Sequence, residues 1–233
     1  MITERLSDAT RAIIGAVAVL IAVLVGWLVR WDLVVHGDNK VLEEFIESRD
    51  PVTTVFMRSI TLLLNPLYAT VLAVFLGALV WWLTRSRWLG GYVVACVAGA
   101  SAITHSLKLL VRRERPPLIT QLTTEQDYSF PSGHTTAAAA FGVSLIIVVG
   151  AVVRSKRLCA LTWLLGAAFV AAIAASRLYL GVHWFTDVAS GFLIGSGSSL
   201  ALSWMVTRAG VGAGGLPQEA LARRGALART TSM

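Results

Sequence analysis

Apolar residues come in long blocks along this chain, and polar residues gather in the gaps between them. The blocks at about 12–29, 59–83, 88–108, 133–153, 158–176 and 184–206 match the roughly 20 residues that a helix needs to cross a bilayer. Lipid offers backbone N–H and C=O groups no partners, so segments of this kind cross as helices. The pattern predicts an all-α, polytopic membrane protein with six transmembrane helices, the second kinked at Asn65-Pro66.

The longest polar gap, 30–58, has its own periodicity. In "VLEEFIES" the residues Val41, Leu42, Phe45 and Ile46 fall on one side and Glu43, Glu44 and Glu47 on the other. This is helical spacing, and it predicts a short helix ended by Pro51, lying in the membrane interface or packed on the protein. The organisation that follows is a cytoplasmic N-terminus at 1–11, a first span at 12–29 and an extracytoplasmic loop at 30–58. A core of five transmembrane helices at 59–206 comes next, then a flexible, basic cytoplasmic tail at 207–233. The first apolar run is long for a signal-peptide core and has no small-x-small cleavage pattern near its end, so it reads as an uncleaved span.

Composition narrows the class. Hydrophobic residues make up 56% of the 233, and charged residues only 14%, against about a quarter in soluble domains. The net charge of +7 does not point to nucleic acid, because the positive residues are scattered over span ends rather than gathered on one soluble face. Cys96 and Cys159 lie inside apolar runs and read as packing residues. No cysteine or histidine spacing suggests a metal site, and nothing calls for a cofactor. The short loops "TRSR" and "RSKR" place both termini in the cytoplasm by the positive-inside rule. Basic residues on the opposite side then need another cause.

Most of those residues sit in "KLLVRRERPP" (108–117) and "SRLYLGVHWFTD" (176–187), which share a membrane face with "PSGH" (131–134). Lys108, Arg115 and Arg177 offer positive charge, and arginine matches phosphate oxygens with its planar fork. Ser132, Gly133 and His134 open a helix, where unpaired amides and the dipole favour an anion. His183 and Asp187 are four residues apart and share a face if that stretch is helical. A carboxylate beside an imidazole fixes its tautomer and stabilises its cation, which suits a nucleophile toward phosphorus, with a second imidazole as general acid. The residues alone do not choose which of His134 and His183 takes which part. Arg112 and Arg113 fall outside the pattern and read as topology markers or head-group contacts. His105 reads as a bundle histidine.

Three motifs, K-x6-R-P at 108–116, P-S-G-H at 131–134 and S-R-x5-H-x3-D at 176–187, together resemble the signature of the type 2 phosphatidic acid phosphatase superfamily, which shares its site with vanadium haloperoxidases. The resemblance implies His183 as the phosphorylated nucleophile, Asp187 as its orienting partner and His134 as the acid. It implies Lys108, Arg115, Ser132, Gly133 and Arg177 as phosphate ligands. It also implies metal-independent hydrolysis of a lipid phosphate or pyrophosphate. A chain this embedded suits a substrate that stays anchored in the bilayer: a polyprenyl pyrophosphate first, then phosphatidylglycerol phosphate or phosphatidic acid. Two other classes stand beside this one. A lipid-to-lipid phosphotransferase would use the same phosphohistidine, and a non-catalytic channel or scaffold would need neither histidine.

Overall fold

The structure is a computed structural model that describes residues 6–31, 33–62, 64 and 66–210. The basic tail from 211 onward, and Asn65 of the expected kink, lie outside the described residues. The chain is all-helical: α1 (Asp8–Arg30), α2 (Val35–Glu47), α3 (Pro51–Leu62), α4 (Pro66–Thr84), α5 (Arg87–Val111), α6 (Gly133–Val152), α7 (Lys156–Tyr179), α8 (Phe185–Ala201) and α9 (Trp204–Arg208). A single 3-10 turn, Leu118–Thr120, interrupts the long connection between α5 and α6. This is a multi-pass membrane architecture. Among the described residues, five stretches are long and apolar enough to cross a bilayer: α1, α5, α6, α7 and the run Phe185–Arg208. Tyr68–Thr84 is a shorter apolar helix.

α6 and α8 form the centre. A Cβ on Gly191 would lie 2.6 Å from the Ser132 carbonyl oxygen, so only glycine lets α8 come this close to the start of α6. The alanine run Ala137–Ala140 of α6 is buried in the middle of the bundle. α1 packs along the other side of α8. Toward the outside, α1 exposes Ile13, Leu20, Leu24 and Trp27, and α7 exposes Leu161, Trp163, Leu164 and Leu165. Large apolar side chains facing outward on long helices are what a lipid environment requires.

The region before α4 departs from the expectation. The predicted second span, 59–83, is split: α3 ends at Leu62 and α4 begins at Pro66. Proline has no N–H and disfavours helix in the residue before it, so a continuous helix through this point would be broken. The helix over "VLEEFIES" exists but ends at Glu47, and Pro51 opens α3 instead of closing α2. Proline suits that first helical position. Both helices pack on protein. Leu42 and Asp38 of α2 are buried. Arg49 donates to the Tyr179 carbonyl (2.9 Å) and the Thr120 carbonyl (2.8 Å), and Arg58 of α3 donates to the Leu122 carbonyl (2.7 Å). The segment 35–62 thus lies against the 118–122 stretch and the end of α7.

Candidate active site

Four helix ends meet at one end of the bundle, and each is shaped by its own local chemistry. α5 stops at Arg112, whose left-handed backbone (φ 53) lets its N–H close on the Lys108 carbonyl at 3.0 Å. α6 starts after Ser132, whose hydroxyl accepts the Thr135 N–H, the ordinary N-cap arrangement. α7 gives way to Gly181, whose φ of +68 and crowding by the Thr120 carbonyl and Arg49 leave no room for a side chain. α8 opens with Asp187 reaching back to accept the Trp184 N–H at 2.9 Å. The sequence places these segments on the same membrane face, and the fold turns that into contact.

A cavity of about 260 Å³ opens there, lined by Lys108, Arg115, Gly133, His134 and His183 on its polar side and by Leu64, Ala69, Val97 and Ala137 on its apolar side. A Cβ on Gly133 would meet nothing within 4 Å, so this glycine leaves space in the cavity rather than serving helix packing. His105, Glu125 and Asp127 also border it. The remaining expected site residues, Ser132, Arg177 and Asp187, stand behind this lining, all almost fully buried. The Ser132 hydroxyl is engaged in capping, and its N–H donates to the Asp187 carbonyl at 3.0 Å.

His183 sits in the turn before α8, not one helical turn from Asp187 within a helix as its spacing suggested. Its Nδ1 is nevertheless 3.3 Å from Asp187 Oδ2. Its Nε2 is 3.2 Å from Arg115 Nη1. Since arginine can only donate, this network assigns the proton to Nδ1, donated to Asp187, and leaves the Nε2 lone pair turned toward the Arg115 guanidinium. Burial pushes the His183 imidazole well below its ordinary value, and the charges of Arg115, Arg177 and Lys108 push the same way. Both effects favour the neutral imidazole.

Lys108, Arg115 and Arg177, the three cations expected to form a phosphate-binding cup, are already paired. Lys108 is 3.1 Å from Asp127 Oδ2 and donates to the Tyr128 carbonyl. Arg115 grips Asp127 and donates to the Val182 carbonyl at 2.6 Å. Arg177 pairs with Glu125 and donates to Thr61 Oγ1 at 2.6 Å. Burial pushes the Asp127 carboxyl up, but Lys108 and Arg115 outweigh it and hold the group below the usual carboxylate range. The loop 121–129 thus lays carboxylate oxygens on the groups expected to bind phosphate.

Three features of this site escaped sequence reasoning. Glu125 and Asp127 carry no motif. Ser129 donates to Asp187 Oδ2. Arg113, read as a topology marker or head-group contact, is instead an interior ion-pair residue: it bonds Asp187 Oδ1 and Asp38 Oδ2, both at 2.6 Å. Burial of Asp38 inside a polar stretch had no periodic signature of its own.

A family profile described as the PAP2 superfamily matches residues 88–210, more than half of the chain and every motif position from Lys108 to Asp187. The chain belongs to the PAP2 superfamily. It is 29% identical over 161 residues to phosphatidylglycerophosphatase B of Bacillus subtilis, covering 68% of this chain and 78% of that protein. It is 36% identical over 118 residues to the decaprenylphosphoryl-5-phosphoribose phosphatase of Mycolicibacterium smegmatis, covering 49% of this chain and 58% of that one. Its fold resembles the crystal structure of a transmembrane PAP2-type phosphatidylglycerolphosphate phosphatase from Bacillus subtilis, with a TM-score of 0.71 at 24% identity, over 83% of this chain and 94% of that chain. The PAP2 match begins in α5, so α1 to α4 lie outside it.

Proposed function

We propose that this protein is a membrane phosphatase that removes phosphate from a lipid phosphomonoester or pyrophosphate by way of a phosphohistidine. The observation that carries the reading is the cavity in which His134, His183, Lys108, Arg115 and the opening amides of α6 converge. His183 Nε2 attacks phosphorus, forming a P–N bond as the P–O bond to the lipid breaks. His134 gives its proton to the departing oxygen. Asp187 holds Nδ1–H and stabilises the imidazolium-like charge. Water, deprotonated by His134, then cleaves the P–N bond and frees phosphate. Lys108, Arg115, Arg177 and the α6 start, Ser132 and Gly133, hold the equatorial oxygens, where charge rests in the transition state. For Ser132 this requires the hydroxyl to leave its capping bond.

The apolar wall of the cavity, contributed by Leu64, Ala69, Val97 and Ala137, favours a substrate whose chains stay among the helices. The relatives named for phosphatidylglycerol phosphate and for a polyprenyl-linked sugar phosphate support a lipid phosphate as substrate. Six crossings, with the short apolar helix α4 as the second, return the site to the extracytoplasmic face and leave both termini in the cytoplasm.

Purified protein in detergent, offered polyprenyl pyrophosphate, phosphatidylglycerol phosphate and phosphatidic acid, should release phosphate. His183→Ala should abolish release from all three while the protein still inserts, and EDTA should leave the wild type unchanged. Retained turnover in H183A sinks the assignment, and a strict magnesium requirement sinks the metal-free route. A topology reporter fused after Met233 should report cytoplasm.

A further inference from the structure

We propose that Asp38 and Arg113 are positioning residues of the reaction, a buried carboxylate–guanidinium brace that holds Asp187 in place and balances the charge that His183 meets. The inference rests on the reading of His183 as nucleophile, and it adds to the site a residue of α2, far upstream of the PAP2 match at 88–210.

The geometry is a closed network of contacts, in which Arg113 Nη1 also donates to the Thr186 hydroxyl at 2.8 Å. Asp187 divides its two oxygens: Oδ2 faces His183 Nδ1, the Ser129 hydroxyl and the Trp184 N–H, while Oδ1 takes Arg113 Nη1, at 2.6 Å. The other end of the Arg113 fork, Nη2, is 2.6 Å from Asp38 Oδ2. Asp38 in turn accepts the Thr186 N–H at 2.9 Å and the Thr186 hydroxyl at 2.6 Å. The Arg113 guanidinium lies over the Trp184 ring, 5.2 Å from its centroid. Asp38 therefore grips the first turn of α8 at two neighbouring points: directly at Thr186, and through Arg113 at the Asp187 carboxylate.

Such an array is a poor device for stability. Withdrawing two carboxylates and a guanidinium from water is expensive, and apolar side chains of similar volume usually serve stability as well. Capping α8 needs only the Asp187 and Trp184 contact. What the brace supplies is orientation, as partners of a ligating or reacting group do when they fix its rotamer and basicity. It also supplies charge balance. Asp38, Arg113 and Asp187 together carry one net negative charge behind His183. Removing Asp38 leaves that array neutral, and removing Arg113 makes it doubly negative. The two changes thus act on the imidazolium with opposite signs.

The other charged or titratable groups facing His183 stay constant in both variants. They are Lys108 on α5, Arg115 just beyond it, Arg177 on α7 with its partner Glu125, His134 on α6, and Asp127 on the loop. Differences between variants therefore report on the brace, and ionisation of the substrate cancels when one substrate is used throughout.

The test uses the full-length protein in detergent and a short-chain phosphatidic acid, with kcat and KM measured across pH for wild type, D38N, R113Q, D38E and R113K. Relative to wild type, the acid limb of kcat/KM should move to lower pH in D38N and to higher pH in R113Q. The charge-keeping D38E and R113K should hold the limb close to wild type. In D38N and R113Q kcat should fall by about 10–100-fold, the range for loss of such partners, with KM nearly constant. A limb that moves in the same direction in both, or does not move, or an effect confined to KM, overturns the proposal. If R113Q does not fold, D38N alone decides, since an unshifted limb there overturns it equally. H183A, run alongside, separates the two ideas: turnover in H183A defeats the nucleophile assignment, whereas an inactive H183A with unshifted D38N and R113Q limbs defeats only the brace.

Discussion

Two sets of ion pairs flank His183, and they differ in what surrounds their carboxylates. On the cavity side, Lys108 and Arg115 share Asp127, whose side chain is 58% exposed, and Arg177 pairs with Glu125, 28% exposed. On the inner side, Arg113 is held between Asp38 and Asp187, which are 1% and 0% exposed. The cavity-side acids belong to a connecting loop, and the inner ones to helices α2 and α8. A carboxylate and a phosphate present similar oxygens to a guanidinium fork. The exposed acids are therefore of the kind a phosphate group can replace, whereas the buried ones have no route out. On the proposed mechanism, the contrast separates groups that would exchange partners during turnover from groups that would stay put. It also shows that arginines a few positions apart in "RRER" can have unrelated work.

The largest effect that would sharpen this contrast is at Arg115, which touches both Asp127 and His183 Nε2. Arg115→Met should lower kcat by about 10²–10³, the loss typical of one preorganised donor to a developing charge, as measured by phosphate release at saturating substrate. An unchanged kcat with a raised KM would instead make Arg115 a binding group only.

The next concerns the closeness on which the buried side depends. In Gly191→Ala the new methyl meets the Ser132 carbonyl, which belongs to backbone and cannot turn aside. Overpacking of this kind costs about 1–3 kcal/mol, so thermal unfolding in detergent should come earlier and activity should fall with it. Wild-type stability would mean that α6 and α8 can slide apart without harm.

The smallest effect should come from the exposed acids. Asp127→Asn removes a competitor for Lys108 and Arg115, so inhibition by vanadate, an anion of phosphate-like geometry, should tighten several-fold while kcat changes little. Weaker inhibition in D127N would make Asp127 an organiser of the cup rather than a stand-in for its ligand. The pH profile offers a related check. Because the free His183 imidazole lies well below its ordinary value of 6.5, activity limited by its protonation should persist below pH 6.5 and fall only at more acid pH.

Much of this protein is legible in its sequence. The apolar blocks determined the helical, membrane-embedded class, because a bilayer allows those residues no other spanning structure. The motif residues Lys108, Arg115, Gly133, His134 and His183 were legible because each sits at a span end, where a polar residue needs a reason. Asp187 was legible through its spacing from His183, although the contact is made across a turn and not within a helix.

What only the tertiary structure decided lies in the connecting segments and in partner choice. The split of 59–83 into α3 and α4, the docking of α2 and α3 on the site, and the loop acids Glu125 and Asp127 follow from where segments meet, and hydrophobic periodicity carries no information about that. Arg113 makes the point most directly. In sequence it is one of several interchangeable cations beside a membrane. In the fold it reaches Asp38 and Asp187, because charge is a local property of a residue and pairing is a property of the space between residues.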